Sequence, residues 1–291
     1  LVNGICIPGV MTCNYGEWGS FMNEQFIPSY CQDEVTPQEE ICDGIDNDCD
    51  GITDYGEEMK DTDILFIVDW SGSMDDEINA VLIALNQFAQ YYSDEEVLQW
   101  SLIRGPLPVV DSLFEEHLEL THNLSGFTDF LSTMSNLNFT SGNGTSLEML
   151  MDAVYLSIGN ISGALPIPIA DLQWKGIVNP SGFGNIVKES NPPIDQFIMN
   201  WRPGVDKIII VITDEKEQSY LHPSITNQHL IDALVATPQL KLHTFTRFSF
   251  WQWDEIAAAT GGENFKLSSN PTEIYNSLMQ ILDEVCKSES Q

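Results

Sequence analysis

Lysine and arginine are scarce in this 291-residue chain, 11 in all against 44 aspartates and glutamates, which leaves a formal net charge of −33. So acidic a surface disfavours nucleic acid and anionic membranes as partners and suits surroundings rich in calcium or salt. Histidine is rarer still: there are five, and His117 is the first. Long apolar runs are also missing. The stretches 64–68 and 208–212 hold five apolar residues each, far short of the roughly 20 that a membrane-spanning helix needs. The chain is therefore read as not transmembrane. It shows no signal peptide and starts at Leu1, as a processed or excised chain would.

Cysteine is nearly absent beyond residue 49. Cys6, Cys13, Cys31, Cys42 and Cys49 crowd the first fifth of the chain, and Cys286 stands alone near its end. Clustering of this kind marks a small disulfide-stapled module and an oxidising compartment, so the chain is expected to be secreted or at a cell surface. Five is an odd number, which leaves one cysteine to pair with Cys286 or with another chain. Residues 1–60 also lack apolar periodicity, and disulfides and metal would have to stabilise them. Sequons at Asn123, Asn138, Asn143 and Asn160 matter only in a host that glycosylates asparagine.

Within that module, residues 42–57 read CDGIDNDCDGITDYGE. With Asp46 as position one, acids fall at one, three, five, nine and twelve (Asp46, Asp48, Asp50, Asp54 and Glu57). Gly51 takes the sharp-turn position and Ile52 offers its backbone carbonyl. This is the ligand spacing of an EF-hand-like calcium loop, although Thr53 stands where an apolar residue is usual and no clear helix flanks the loop. The run 4–58, with its GIC, TC, GEWG and EIC segments and the DGIDNDCDG core, resembles the MopE-type metal-binding repeat of secreted bacterial proteins. That resemblance implies a Cys42–Cys49 bond. Copper favours imidazole or sulfur ligands, and with no histidine in the module calcium is the better match. Tyr15, Trp18, Phe21 and Phe26 are read as its miniature core.

From residue 61 the pattern alternates strand and helix. An apolar strand at 64–68 is followed by a helix over 75–92, with Ile78, Val81, Leu82, Leu85, Phe88, Ala89 and Tyr92 on one stripe and Asp75, Asp76 and Glu77 in the first turn. Strands are expected near 97–103, 113–121, 207–215, 240–245 and 264–267. Helices are expected near 126–134, 147–158, 226–236, 256–260 and 271–285. Such alternation predicts an α/β fold, a doubly wound and mostly parallel sheet flanked by helices. Residues 159–206 form an irregular insertion much longer than ordinary connections. It is read as part of the binding face or as a cover over a sheet edge, and 287–291 as a tail. Phe248, Phe250, Trp251 and Trp253 are read as either core or ligand contact.

Asp69, Ser71 and Ser73 alternate on a short loop after the first strand, with Gly72 allowing a bend. One carboxylate and two hydroxyls at a strand's C-terminal end offer hard oxygens to a divalent cation. A glycine-rich loop over 139–146 and an aspartate, Asp214, closing a later strand complete a three-loop pattern. Together these resemble the von Willebrand factor A domain over residues 61–286. The resemblance implies a metal-ion-dependent adhesion site with ligands Asp69, Ser71, Ser73, Thr145 and Asp214. Ser146 or Thr140 are alternatives for the second loop, and Mg2+ or Ca2+ is the cation; Glu215 would favour calcium. In that family a carboxylate from the partner completes the coordination. The expected function is thus extracellular, cation-dependent adhesion or protein recognition. The alternative is a structural subunit of a surface filament or coat. His117 and His122 lack a paired nucleophile, and Ser71 and Ser73 lack a nearby base, so no enzymatic activity is expected.

Overall fold

The computed structural model describes residues 12–14, 17–22, 25–28, 60–91, 97–108, 116–137, 149–161, 165–174, 193–247 and 251–286. The chain divides into two compact units, Leu1–Met59 with Met279–Gln291, and Lys60–Leu278. In the first, β1 (Thr12–Asn14), β2 (Glu17–Met22) and β3 (Gln25–Pro28) form an antiparallel meander. The cysteines at 6, 31, 42 and 49 and the calcium-loop residues 46–57 lie outside the described residues. So do the side chains of Cys13 and Cys286.

The second unit carries β4 (Thr62–Asp69), α1 (Ile78–Tyr91), β5 (Leu98–Pro108), β6 (Glu116–Ser125), α2 (Phe127–Ser135) and α3 (Leu150–Ser157). There follow β7 (Gln173–Trp174), β8 (Asp206–Thr213), β9 (Leu221–His222), α4 (Asn227–Val235), β10 (Leu240–Thr246), α5 (Trp251–Ala259) and β11 (Asn264–Lys266). The last helix is α6 (Pro271–Cys286). The main sheet has the order β11-β10-β8-β4-β5-β6; its pairs are parallel except β5 with β6, which closes one edge antiparallel. This is an α/β fold with a mixed, mostly parallel sheet flanked by helices.

Both faces of the sheet are covered, which explains why β4 and β8 are apolar without alternation. Leu65, Ile67, Ile209 and Val211 pack into a core with Val154 of α3, Leu230 and Ala233 of α4, and Ile256 of α5. On the other face Phe66 meets Phe88 of α1 edge-on, with ring centroids 6.4 Å apart, and Phe130 of α2 at 6.0 Å. Trp100 stacks with Phe66 and Phe130 and meets Phe88 edge-on.

Several boundaries differ from the sequence expectation. Residues Gly72–Met74 form a 3-10 turn, and α1 begins only at Ile78, so Asp75, Asp76 and Glu77 precede the helix instead of occupying its first turn. Helix α5 starts at Trp251, five residues before the expected start at 256. Strand β5 extends to Pro108 and β6 lies over Glu116–Ser125, because the two pair antiparallel with irregular register.

The described parts of the insertion pack against helix α3. All eight residues of α3 are buried, since Leu172, Phe197, Met199 and Trp201 join the core around it. Trp201 Nε1 donates to the Ser157 carbonyl at 2.9 Å, and Tyr155 Oη bonds both the N–H and the carbonyl of Ile167 at 2.9 Å. Trp253 is likewise core, 1 % exposed, with Nε1 donating to the Glu215 carbonyl. The side chains of Phe248, Phe250 and Trp251 are outside the described residues.

Candidate functional site

The site forms because adjacent parallel strands end together. Val68 of β4 lies in register with Ile212 of β8, so Asp69 emerges beside Thr213 and Asp214 although 144 residues separate Asp69 from Thr213. This is the C-terminal edge of the sheet, where open α/β folds bind ligands.

Asp69 is fully buried. Its Oδ1 accepts from the Ser71 backbone N–H at 2.9 Å, and its Oδ2 accepts from Thr213 Oγ1 at 2.7 Å. Ser71 and Ser73 hydroxyls lie 2.8 Å apart, and Ser73 Oγ donates to Asp214 Oδ1 at 3.0 Å. The four residues grade from buried to open: Asp69 0 %, Ser71 3 %, Asp214 7 %, and Ser73 exposed. The cluster therefore faces solvent through Ser73.

Burial pushes the Asp69 carboxyl from 3.8 up to about 6; the hydrogen bonds from Ser71 and Thr213 offset part of this, and the nearby Asp214 adds to it. Asp214 is also raised, mainly by burial, with the Ser73 hydrogen bond and Arg247 pulling the other way. Two carboxylates and two hydroxyls around one point form a hard-oxygen set that suits Mg2+ or Ca2+ far better than a soft metal. A buried carboxylate pressed by a second one gains most from a divalent cation. On both counts the residues fit the cation that the sequence implies. Among the described residues no three His, Cys, Asp or Glu side chains gather as a metal-binding group; this cluster has two acids and relies on hydroxyls for the rest.

The structure thus brings Asp69, Ser71, Ser73 and Asp214 together. Thr145, with its alternatives Thr140 and Ser146, lies outside the described residues. His122 is half-buried, not a plain surface residue: its ring nitrogens bond Thr133 Oγ1 at 3.0 Å and Ser125 Oγ at 2.8 Å, and burial lowers its pKa.

Sequence reasoning missed several supports. Thr213 fixes the inner oxygen of Asp69, and its Oγ1 also accepts from the Glu215 N–H at 3.0 Å. Asp152, fully buried on α3, accepts from Ser219 Oγ at 2.7 Å and the Tyr220 N–H at 2.5 Å, anchoring the loop that follows Asp214. Trp70 is buried, and the Arg104 guanidinium lies 4.9 Å over its ring. Arg247 pairs with both Glu77 and Asp214. Only Thr213, beside Asp214, carried a sequence signal, as the last residue of an apolar strand with a hydroxyl to offer.

No family model matches the chain, and no curated protein does. Solved structures with similarity include proximal thread matrix protein 1 from the mussel byssus, at TM-score 0.48 and 12 % identity, covering 79 % of this chain and 50 % of that one. A von Willebrand factor type A structure from Catenulispora acidiphila has TM-score 0.48 and 13 % identity, covering 78 % of this chain and 43 % of that one. The mussel protein with a zinc-occupied MIDAS motif has TM-score 0.47 and 11 % identity, covering 78 % of this chain and 46 % of that one. The chain spans about half the length of these structures.

Proposed function

We propose that this chain is an extracellular recognition module that binds a carboxylate of a protein or surface ligand through a divalent cation. Asp69, Ser71, Ser73 and Asp214 would hold the cation, Mg2+ or Ca2+, with Thr145 from the second loop as the fifth ligand. The single observation that supports this reading is the buried hard-oxygen cluster at the end of β4 and β8, with its two raised carboxyl groups and one open side. A bound divalent cation would supply Lewis acidity toward an incoming carboxylate. The chain's own part is to hold two acids and two hydroxyls in place: Thr213 and the Ser71 N–H orient Asp69, and Ser73 orients Asp214. The hydroxyls of Ser71 and Ser73 turn to each other and to Asp214, not to a histidine, which favours binding over nucleophilic catalysis.

Isothermal titration with Mg2+ and Ca2+, followed by capture on a carboxylate-bearing surface with and without chelator, tests the reading. Cation binding lost in Asp69→Ala, together with capture abolished by chelator, is the expected result. Capture that persists in chelator overturns it. The proposal includes a second cation, calcium, on Asp46, Asp48, Asp50, Asp54, Glu57 and the Ile52 carbonyl. Asp48→Ala should remove that calcium response and leave the Asp69-dependent one in place.

A further inference from the structure

The parallel register of β10 with β8 sets Thr246 beside Thr213, so the next residue of β10's chain, Arg247, emerges beside Asp214. In a chain with 11 basic residues against 44 acidic ones, this one stands against the proposed cation site. Its guanidinium makes four directed contacts. Nε donates to Glu77 Oε1 at 3.0 Å and Nη2 to Glu77 Oε2 at 2.6 Å, a two-pronged pair. Nη2 also donates to the Ser73 carbonyl at 3.2 Å, and Nη1 lies 3.4 Å from Asp214 Oδ2. Glu77 is buried, while a third of the Arg247 side chain is exposed.

The contact pattern divides the Asp214 carboxylate. Oδ1 accepts from Ser73 and so belongs to the oxygen cluster; Oδ2 faces Arg247. The guanidinium thus leaves the cluster-side oxygen alone and steers the carboxylate from behind. At the same time it grips the backbone of Ser73. Glu77 balances its charge, so the pair adds orientation without adding net charge to the site.

We propose that Arg247, locked by Glu77, is the positioning residue of the cation site, clamping the loop of Ser73 to the carboxylate of Asp214. The inference rests on the cation reading above and deepens it. A lysine cannot replace it, because one ammonium cannot span two acids and a carbonyl in fixed directions. The rival account is electrostatic: a positive charge beside Asp214 that simply opposes a cation. The two accounts predict opposite signs.

The test titrates the full chain with Mg2+, Mn2+ and Ca2+ in turn by calorimetry, taking as signal the part that Asp69→Ala removes. Near-ultraviolet circular dichroism checks the fold of each variant. Arg247→Lys, Arg247→Ala and Glu77→Gln should each weaken this binding about 10-fold or more, as loss of partners behind a metal-bound carboxylate does. The Arg247→Ala/Glu77→Gln double variant should lose no more than either single variant, because both remove one clamp. Arg247→Lys carries the test if the alanine variant does not fold. Tighter binding in Arg247→Ala with the double variant back at the wild-type level, or affinities unchanged throughout, overturns the clamp. A wild-type chain with no Asp69-dependent signal fails differently: it removes the cation site, and the clamp with it.

Discussion

At the residue scale the main conflict sits at Asp69, a carboxylate withdrawn from water with a second carboxylate beside it. Folding raises its pKa from 3.8 to about 6, so between those values the folded chain holds the proton more readily than the unfolded one. Stability of the metal-free protein therefore falls as pH rises through this window, by roughly 3 kcal/mol for a shift of this size. Asp214, also raised, acts in the same direction. In chelator, urea unfolding should find Asp69→Asn more stable than wild type at neutral pH, with the difference disappearing only below about pH 3, where the Asp69 carboxyl is protonated in both folded and unfolded states. Added Mg2+ or Ca2+ should raise the wild-type Tm with concentration and leave the Mg2+ response of Asp69→Asn flat. A variant that is more stable yet unresponsive marks a residue kept for binding at a cost to the fold.

At the element scale, two devices hold the strands that deliver the site. Asp63, fully buried at the start of β4, accepts from Arg202 Nε at 2.6 Å and from the Arg202 N–H at 2.7 Å; the same guanidinium reaches the Thr62 and Val97 carbonyls. Arg202→Ala strands that buried charge and should cost about 3–5 kcal/mol in chemical denaturation. The second device is the turn from α5 into β11. Gly261 takes φ +76° after the helix, and a Cβ on Gly262 would stand 2.0 Å from the Leu242 carbonyl oxygen of β10. Gly262→Ala should therefore destabilise by about 3 kcal/mol, more than Gly126→Ala, where a Cβ meets open space. Elements were the most legible level in the sequence. The apolar runs 64–68 and 208–212 are strands β4 and β8, and the 3.6-residue stripe of α1 buries Ile78, Val81, Leu85, Phe88 and Ala89 as expected. The start of α1 was misplaced because an acid triplet at 75–77 reads like a helical first turn. In the fold Glu77 answers Arg247, a partner 170 residues away.

At the scale of the whole molecule, a net charge of −33 sets the conditions under which the fold is stable. Self-repulsion of this size is screened by salt over a Debye length of about 10 Å at 0.1 M. Raising NaCl from low to physiological ionic strength, in chelator, should raise Tm, as a thermal melt series will read. Among the described residues no helix is long and apolar enough to cross a membrane. What the sequence by itself determined is local. Strand and helix periods, the order of elements and the hydroxyl–carboxylate loop after β4 all follow from residue types within reach of one another along the chain. What only the tertiary structure decided is juxtaposition. Parallel register carries Asp214 to Ser73 and Arg247 to Asp214, and the cover over α3 is built from Leu172, Phe197, Met199 and Trp201. Strand register is set by packing on both faces of the sheet at once, a constraint that no stretch of sequence contains alone.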